Sequence, residues 1–280
     1  MRGCWFIFAQ LDSLVILWGT EKGRILLEVM VMNKLVETIL DHRSIRSFED
    51  KLLSKEQIET MVLCAQAAST SSYIQAYTII GVTDPEKKAA LAEIAGPQTY
   101  VAKNGHLFVF CADLQRLQRA AEMENADVTE ALESTEKFLV ASIDAALAAQ
   151  NAAIAAESMG LGICYIGGLR NNLPEVSKLL GIPKRVIPLF GLVAGYPTNP
   201  SAKKPRLPLE NIYHENEYQS DPEIFNEQLE QFNRIIRSYY LKRSNGLRKE
   251  NWTCQMTAML GKKSRLYMKD YIESQGLNKR

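Results

Sequence analysis

The sequence predicts a mixed fold of helices and strands, α/β or α+β, on three observations. From Met32 onward, short apolar runs rich in β-branched residues alternate with stretches of helical period. Thr129 to Met159 runs without Gly or Pro until Gly160, a window long enough for one dominant helix. His106 to Ala112 (HLFVFCA) is nearly unbroken apolar sequence, the pattern of a strand covered on both faces, and Val186 to Ala194 (VIPLFGLVA) reads as a second core strand.

The elements follow in order. A short helix is expected over Asn33 to Leu40, and Ser54 with Gln57 makes a capping box ahead of a periodic stretch ending near Ala68. Ala76 to Val82 is a strand, after which Asp84-Pro85 supplies a cap and first-turn proline for a helix running to Ala95, stopped by Gly96. In the long window, Glu130, Glu133 and Glu136 occupy the first turns, where they suit the helix dipole. Its second half, AALAAQNAAIAAESMG, is small and apolar nearly all round, which predicts the central helix of the core or of a subunit interface. Ile163 to Ile166 is a further strand, Leu173 to Leu180 a helix, and Pro197 to Pro208 an extended crossing segment. Pro222 to Leu241 is helical, then come the polar turn Arg243-Ser244-Asn245-Gly246 and two short helical patterns.

Composition narrows the function. The 280 residues carry a formal charge of +1, which gives no support to a nucleic-acid or polyanion binder, although nine basic residues face one acid between Arg234 and Arg265. Five widely spaced cysteines argue against a disulfide framework and for a reducing compartment, the cytoplasm. Three histidines (His42, His106, His214) lie far from one another and from any cysteine, so no metal site is expected. Walker, Gly-x-Gly-x-x-Gly and Gly-x-Ser-x-Gly patterns are absent, and hard chemistry would need an organic cofactor. Residues 1–31 are expected to be a non-native or disordered extension. The apolar Met1 to Trp18 lacks a signal cleavage site, and Leu27-Glu28-Val29 can encode a ribosome-binding sequence ahead of a start at Met32.

Four segments could bind a ligand, and each has a plain alternative. His42-Arg43-Ser44-Ile45-Arg46 could hold a phosphate through Arg43, Arg46 and the Ser44 hydroxyl, or be a solvated basic turn. Ser69-Thr70-Ser71-Ser72 offers hydroxyl and backbone donors, or is a polar loop at a helix end. Tyr165-Ile166-Gly167-Gly168-Leu169-Arg170 lets backbone approach a flat ligand, or is a tight turn. Lys204-Pro205-Arg206 presents two cations on a rigid stretch, or as an isolated tripeptide means little.

In this order, HRSIRSF, STSS, GPQ, YIGGLRNN and KKPRLP resemble the nitroreductase family, in particular its oxygen-insensitive NADPH nitroreductase and flavin reductase branch. The likeness runs from about Met32 to the C-terminus. It implies an α+β fold with a central, mainly antiparallel sheet flanked by helices, an intertwined homodimer, and an FMN-binding core over 32–200. The rest, 201–280, would be the crossing segment and a C-terminal helical excursion. His42, Arg43, Ser44, Ile45 and Arg46 match contacts to the FMN phosphate and ribityl chain. Thr70 and Ser71 match a hydroxyl loop serving the partner's flavin, and Gln98 a side chain at the isoalloxazine edge. Tyr165, Ile166, Gly167 and Gly168 match a strand end along the ring, and Lys204, Pro205 and Arg206 the cations at its pyrimidine end and phosphate. Arg243, Arg248 and Arg265 match recognition of NADPH, with Arg243 and Arg248 flanking a turn that closes on the nucleotide. The implied activity is ping-pong transfer from NADPH through bound FMN to small-molecule electron acceptors (nitroaromatics, quinones or free flavin), with no nucleic-acid or membrane partner. A flavin-holding sensor is the alternative.

Overall fold

The computed structural model describes residues 33–199 and 201–280; the expected extension over 1–31 and the start at Met32 lie outside the described residues. Asn33 caps α1 (Lys34–Leu40), and Ser54 with Gln57 completes both halves of the capping box on α2 (Lys55–Gln66). There follow β1 (Tyr77–Val82), α3 (Pro85–Ile94) capped by Asp84, α4 (Thr99–Ala102), β2 (His106–Asp113), α5 (Gln115–Met123), α6 (Thr129–Glu133) and α7 (Thr135–Ser158). The second half holds β3 (Gly162–Ile166), α8 (Leu173–Leu180), β4 (Val186–Gly195), α9 (Pro222–Arg243), α10 (Trp252–Leu260) and α11 (Met268–Ser274).

The four strands form one sheet in the order β1-β2-β4-β3, and every neighbouring pair is antiparallel. That settles the class as α+β. On β2 the side chains alternate: Phe108 and Phe110 enter the core beneath α7, while Leu107, Val109 and Cys111 meet α3 and α8 on the other face. Both faces are therefore covered, which accounts for the unbroken apolar run. Ala148, Ala149, Ala152, Ala153 and Ala156 line the buried side of α7, and their small side chains let the helix lie close to the sheet. By length and hydropathy α7 could cross a bilayer, yet half of its apolar window is packed inside this fold.

Three features differ from the sequence reading. The long helical window is broken at Ser134, whose backbone is extended (φ −71°, ψ 149°) so that its hydroxyl caps α7 by accepting from Lys137 N at 3.2 Å. Glu133 consequently does not serve a helix start; it pairs with Lys279 (2.9 Å) and Arg280 (3.0 Å). Helices α4 and α5 went unpredicted, the latter because its N-cap, Leu114, has no capping side chain and the residue that accepts from Gln115 N, at 2.9 Å, is Asp113 at the end of a strand. Beyond the crossing segment, α9 and α10 share a small core of their own around Phe232, Ile236 and Tyr240, whereas Ile272 and Leu277 at the C-terminus return to the main body beside Leu114, Leu132 and Leu173.

The loop between α2 and β1 is organised from beneath by α7. Ser72, Tyr73 and Gln75 all have positive φ (49°, 58° and 50°), a conformation that costs side-chain-bearing residues energy. Asp144, fully buried on α7, accepts from Ser71 N and Ala76 N, both at 3.1 Å, and so clamps the two ends of the loop. Asp144→Ala leaves those donors unpartnered and should lower unfolding stability by about 3 kcal/mol, with Asp144→Asn losing less because one acceptor remains. Urea denaturation of the three proteins measures this.

Candidate functional site

The site is assembled on the free edge of β3. Ile45 N donates to Ile163 O at 2.8 Å, and Ser44 bridges Ile163 in parallel, so the HRSIR segment adds to the sheet as a short fifth thread. Ile45 points inward (4% exposed) against Gly162, where a Cβ would lie 2.7 Å from it; alternation then sends Ser44 and Arg46 outward. The crossing segment runs alongside. Thr198 N donates to Ser47 O at 3.1 Å, Phe48 bridges Pro197, and the Ser201 hydroxyl donates to Ser44 O at 3.2 Å.

This pairing creates a cleft of about 80 Å³ lined by His42, Arg43, Ser44, Arg46, Ser201, Ala202, Lys204, Arg206 and Arg243. Five cationic side chains converge there and no carboxylate lines it. Arg43 is anchored by Asp41, whose carboxyl is held below its usual range by Lys203 first and by Arg43 as well. His42 is oriented by Glu157, Nδ1 to Oε1 2.7 Å, from the last turn of α7. Among the described residues Arg46, Lys204, Arg206 and Arg243 have no acidic partner. Such a cluster fits a ligand that brings its own negative charge, a phosphate monoester above all.

Behind the cleft, Gln98 donates through Nε2 to Ala95 O at 2.6 Å and accepts from the Tyr100 hydroxyl. Arg46 and Cys164 lie beside that phenol, which burial, its largest influence, pushes above the ordinary tyrosine range. Tyr165, at the end of β3, sets its ring edge-on to Phe190 (centroids 5.6 Å apart) and is partly exposed. Ile166 is buried in the core beneath. Gly167 and Gly168 open a 3₁₀ turn, and the structure supplies a packing reason for the second: a Cβ there would stand 2.4 Å from Ala95 O. Thr70 and Ser71 sit apart from the cleft lining, on the loop clamped by Asp144; Thr70 Oγ1 accepts from Gln75 N at 3.4 Å. Pro205 holds the crossing chain between its two cations.

The three arginines matched to NADPH recognition take different partners. Arg243 joins the cleft, its Nη1 donating to the Tyr239 hydroxyl at 3.2 Å. Arg248 lies over the Tyr240 ring (3.9 Å to its centroid) and pairs with Glu250. Arg265 donates to Asn171 Oδ1 at 3.0 Å, just beyond the Gly-Gly turn. The sequence reading missed Ser201, Tyr100 and Glu157. Glu157 carried no local signal because 115 residues separate it from His42; Tyr100 stood two residues from a residue already singled out.

The model of the Nitroreductase family matches residues 39–196, and that of the Nitroreductase family, C-terminal domain, matches residues 204–280. A protein of Bacillus subtilis (strain 168) named FMN reductase (NADPH) is 56% identical over 248 residues, 89% of this chain and 100% of that one. The solved structure of B. megaterium NfrA1 is 60% identical and superposes with a TM-score of 0.87, covering 88% of this chain and 100% of that one. NADPH:FMN oxidoreductase from Vibrio harveyi, solved in complex with NAD+, is 39% identical with a TM-score of 0.79, over 89% of this chain and 100% of that one.

The two glycines predict unequal sensitivity. Gly168→Ala drives a methyl into the Ala95 backbone and should cost about 2 kcal/mol of stability, as overpacking does. Gly167→Ala meets only the flexible end of Arg170, at 3.1 Å, and should cost less. Thermal unfolding of both variants checks the order.

Proposed function

Because the chain belongs to the nitroreductase family, we propose that its cation cleft holds the phosphate of FMN and that the protein is an NADPH-dependent FMN oxidoreductase. The observation that carries this reading is the convergence of HRSIR with Lys204 and Arg206, from two distant parts of the chain, on one cleft without a carboxylate in its lining. When bound, FMN supplies two-electron redox chemistry between NADPH and a small-molecule acceptor, which no side chain can perform.

The protein's own residues bind and orient. Arg43, Arg46 and Arg206 neutralise the phosphate, and the Ser44 hydroxyl adds a donor on backbone that Ser201 holds in place. Glu157 fixes the His42 ring so that its other nitrogen is free for the ligand. Gln98, locked by Ala95 and Tyr100, and Tyr165 with Ile166, Gly167 and Gly168 form the flank for the flat ring, with Lys204 as the cation at its polar edge. We assign Arg243, Arg248 and Arg265 to the NADPH 2′-phosphate, and 201–280 as the part that brings these cations to a core of 32–200. The acceptors are nitroaromatics, quinones or free flavin. With its described cysteines unpaired, the protein suits the cytoplasm.

A homodimer completes the reading. Leu139, Ile143 and Leu147, spaced one turn apart on α7, are 49%, 55% and 45% exposed, an apolar stripe on the same helix whose Asp144 holds the Thr70–Ser71 loop. That stripe is the proposed subunit contact, through which Thr70 and Ser71 reach the partner's flavin.

Purified protein should be yellow and bleach rapidly on mixing with NADPH in a stopped-flow cell. Arg46→Ala and Lys204→Ala should each weaken FMN binding about ten- to a hundred-fold, the loss of one charge-assisted contact. Arg265→Ala should raise KM for NADPH and leave NADH unchanged. Flavin that stays bound but is not reduced would indicate a sensor instead. For assembly, light scattering should give twice the chain mass, and Ile143→Glu should shift it toward one.

A further inference from the structure

The short turn that carries Gln98 is seated by buried residues. Val101 places α4 in the core, and Asn104 closes the turn by donating through Nδ2 to Tyr100 O at 3.0 Å and to Val101 O at 2.9 Å. Tyr100 is set on this turn with its phenol at a junction. The hydroxyl donates to Gln98 Oε1, and the Arg46 guanidinium and the Cys164 thiol stand beside the same oxygen. Burial keeps the phenol protonated at neutral pH, so its single proton is committed to the Gln98 carbonyl. The other end of the amide is equally constrained. Ala95 O can only accept, so it takes an Nε2–H of Gln98 at 2.6 Å and excludes the flipped amide, which would set two oxygens face to face.

A primary amide has two N–H donors and a carbonyl oxygen with two lone pairs. Ala95 O and the Tyr100 hydroxyl each engage one, which leaves the partly exposed Gln98 one N–H and one lone pair, in one orientation. A ligand edge that answers both carries a carbonyl beside an N–H, the pattern of an imide such as the pyrimidine edge of a flavin. We propose that Tyr100 is a positioning residue: by holding the Gln98 amide, it makes the site discriminate between an imide edge whose N–H is available and one whose nitrogen is blocked. The proposal rests on the assignment of Gln98 to the ring edge of FMN. Without the hydroxyl, the amide is held at Ala95 O alone and can swing away from a blocking group.

FMN-loaded protein is dialysed to equilibrium against an equal mixture of FMN and 3-methyl-FMN, in which a methyl replaces the imide proton, and the retained flavin is analysed by chromatography. The two flavins share the ribityl phosphate, so any effect exerted through Arg46 and the cation cleft cancels in the ratio. The wild type should prefer FMN about ten-fold, the cost of leaving the fixed amide unpaired against the methyl. Tyr100→Phe, which keeps the ring, should lower the preference to about two-fold as that cost is relieved. Tyr100→Met, which also lacks the hydroxyl, should match it. A Tyr100→Phe protein that weakens both flavins alike and keeps the wild-type preference overturns the proposal, as does a wild type with no preference. Gln98→Ala separates the two assignments. If it keeps the wild-type preference, Gln98 does not meet the ring and the proposal falls together with the ring-edge assignment; if it loses the preference while Tyr100→Phe retains it, the proposal alone falls.

Discussion

The cleft depends on what lies against one sheet edge. β3 is an edge strand, and an unpaired edge offers a row of backbone donors and acceptors that something must occupy. Here the HRSIR segment does so, through Ile45 N to Ile163 O, with the crossing segment tied alongside it. Ile45 is the anchor. Its burial against Gly162 fixes which residues face out, and the period of two in extended backbone then places Ser44 and Arg46 together toward the solvent. The remaining cations are brought to that line rather than forming one of their own.

The same logic explains why like charges can gather on a protein of nearly neutral balance. Arg43 and His42 are each held by an acid that stands behind them, Asp41 and Glu157, so the guanidinium and the ring are aimed while both carboxylates stay out of the cleft lining. A multiply charged anion entering the cleft finds donors already oriented, and the entropy of arranging them has been met in folding.

Much of this was legible in the sequence because the determinants are local. The capping box at Ser54, the Asp84-Pro85 start and the apolar run of β2 each carry their signal within a few residues. The split of the long helix was not legible, since Ser134 is an ordinary helix resident unless its hydroxyl finds Lys137 N, and the ion pairs of Glu133 with Lys279 and Arg280 span about 146 residues. Motif order identified HRSIR and Lys204-Pro205-Arg206 as partners through family resemblance; physics alone left the first as a possible solvated turn and the second as a tripeptide that means little by itself. Glycine spacing at 167 and 168 suggested room for a ligand, and the second of the two turned out to be required by the Ala95 backbone.

The hydrogen bond from Ser201 to Ser44 joins residues 157 positions apart. Closing so long a loop is entropically slow, and contacts of that separation form late on a folding pathway. On the ribosome the first half of the cleft leaves the exit tunnel well before the second half exists, so an incomplete chain has no assembled cleft to offer a ligand. A chain that ends before the crossing segment carries only His42, Arg43, Ser44 and Arg46 of the lining, so the charge gathered in the cleft is a property of the long chain alone.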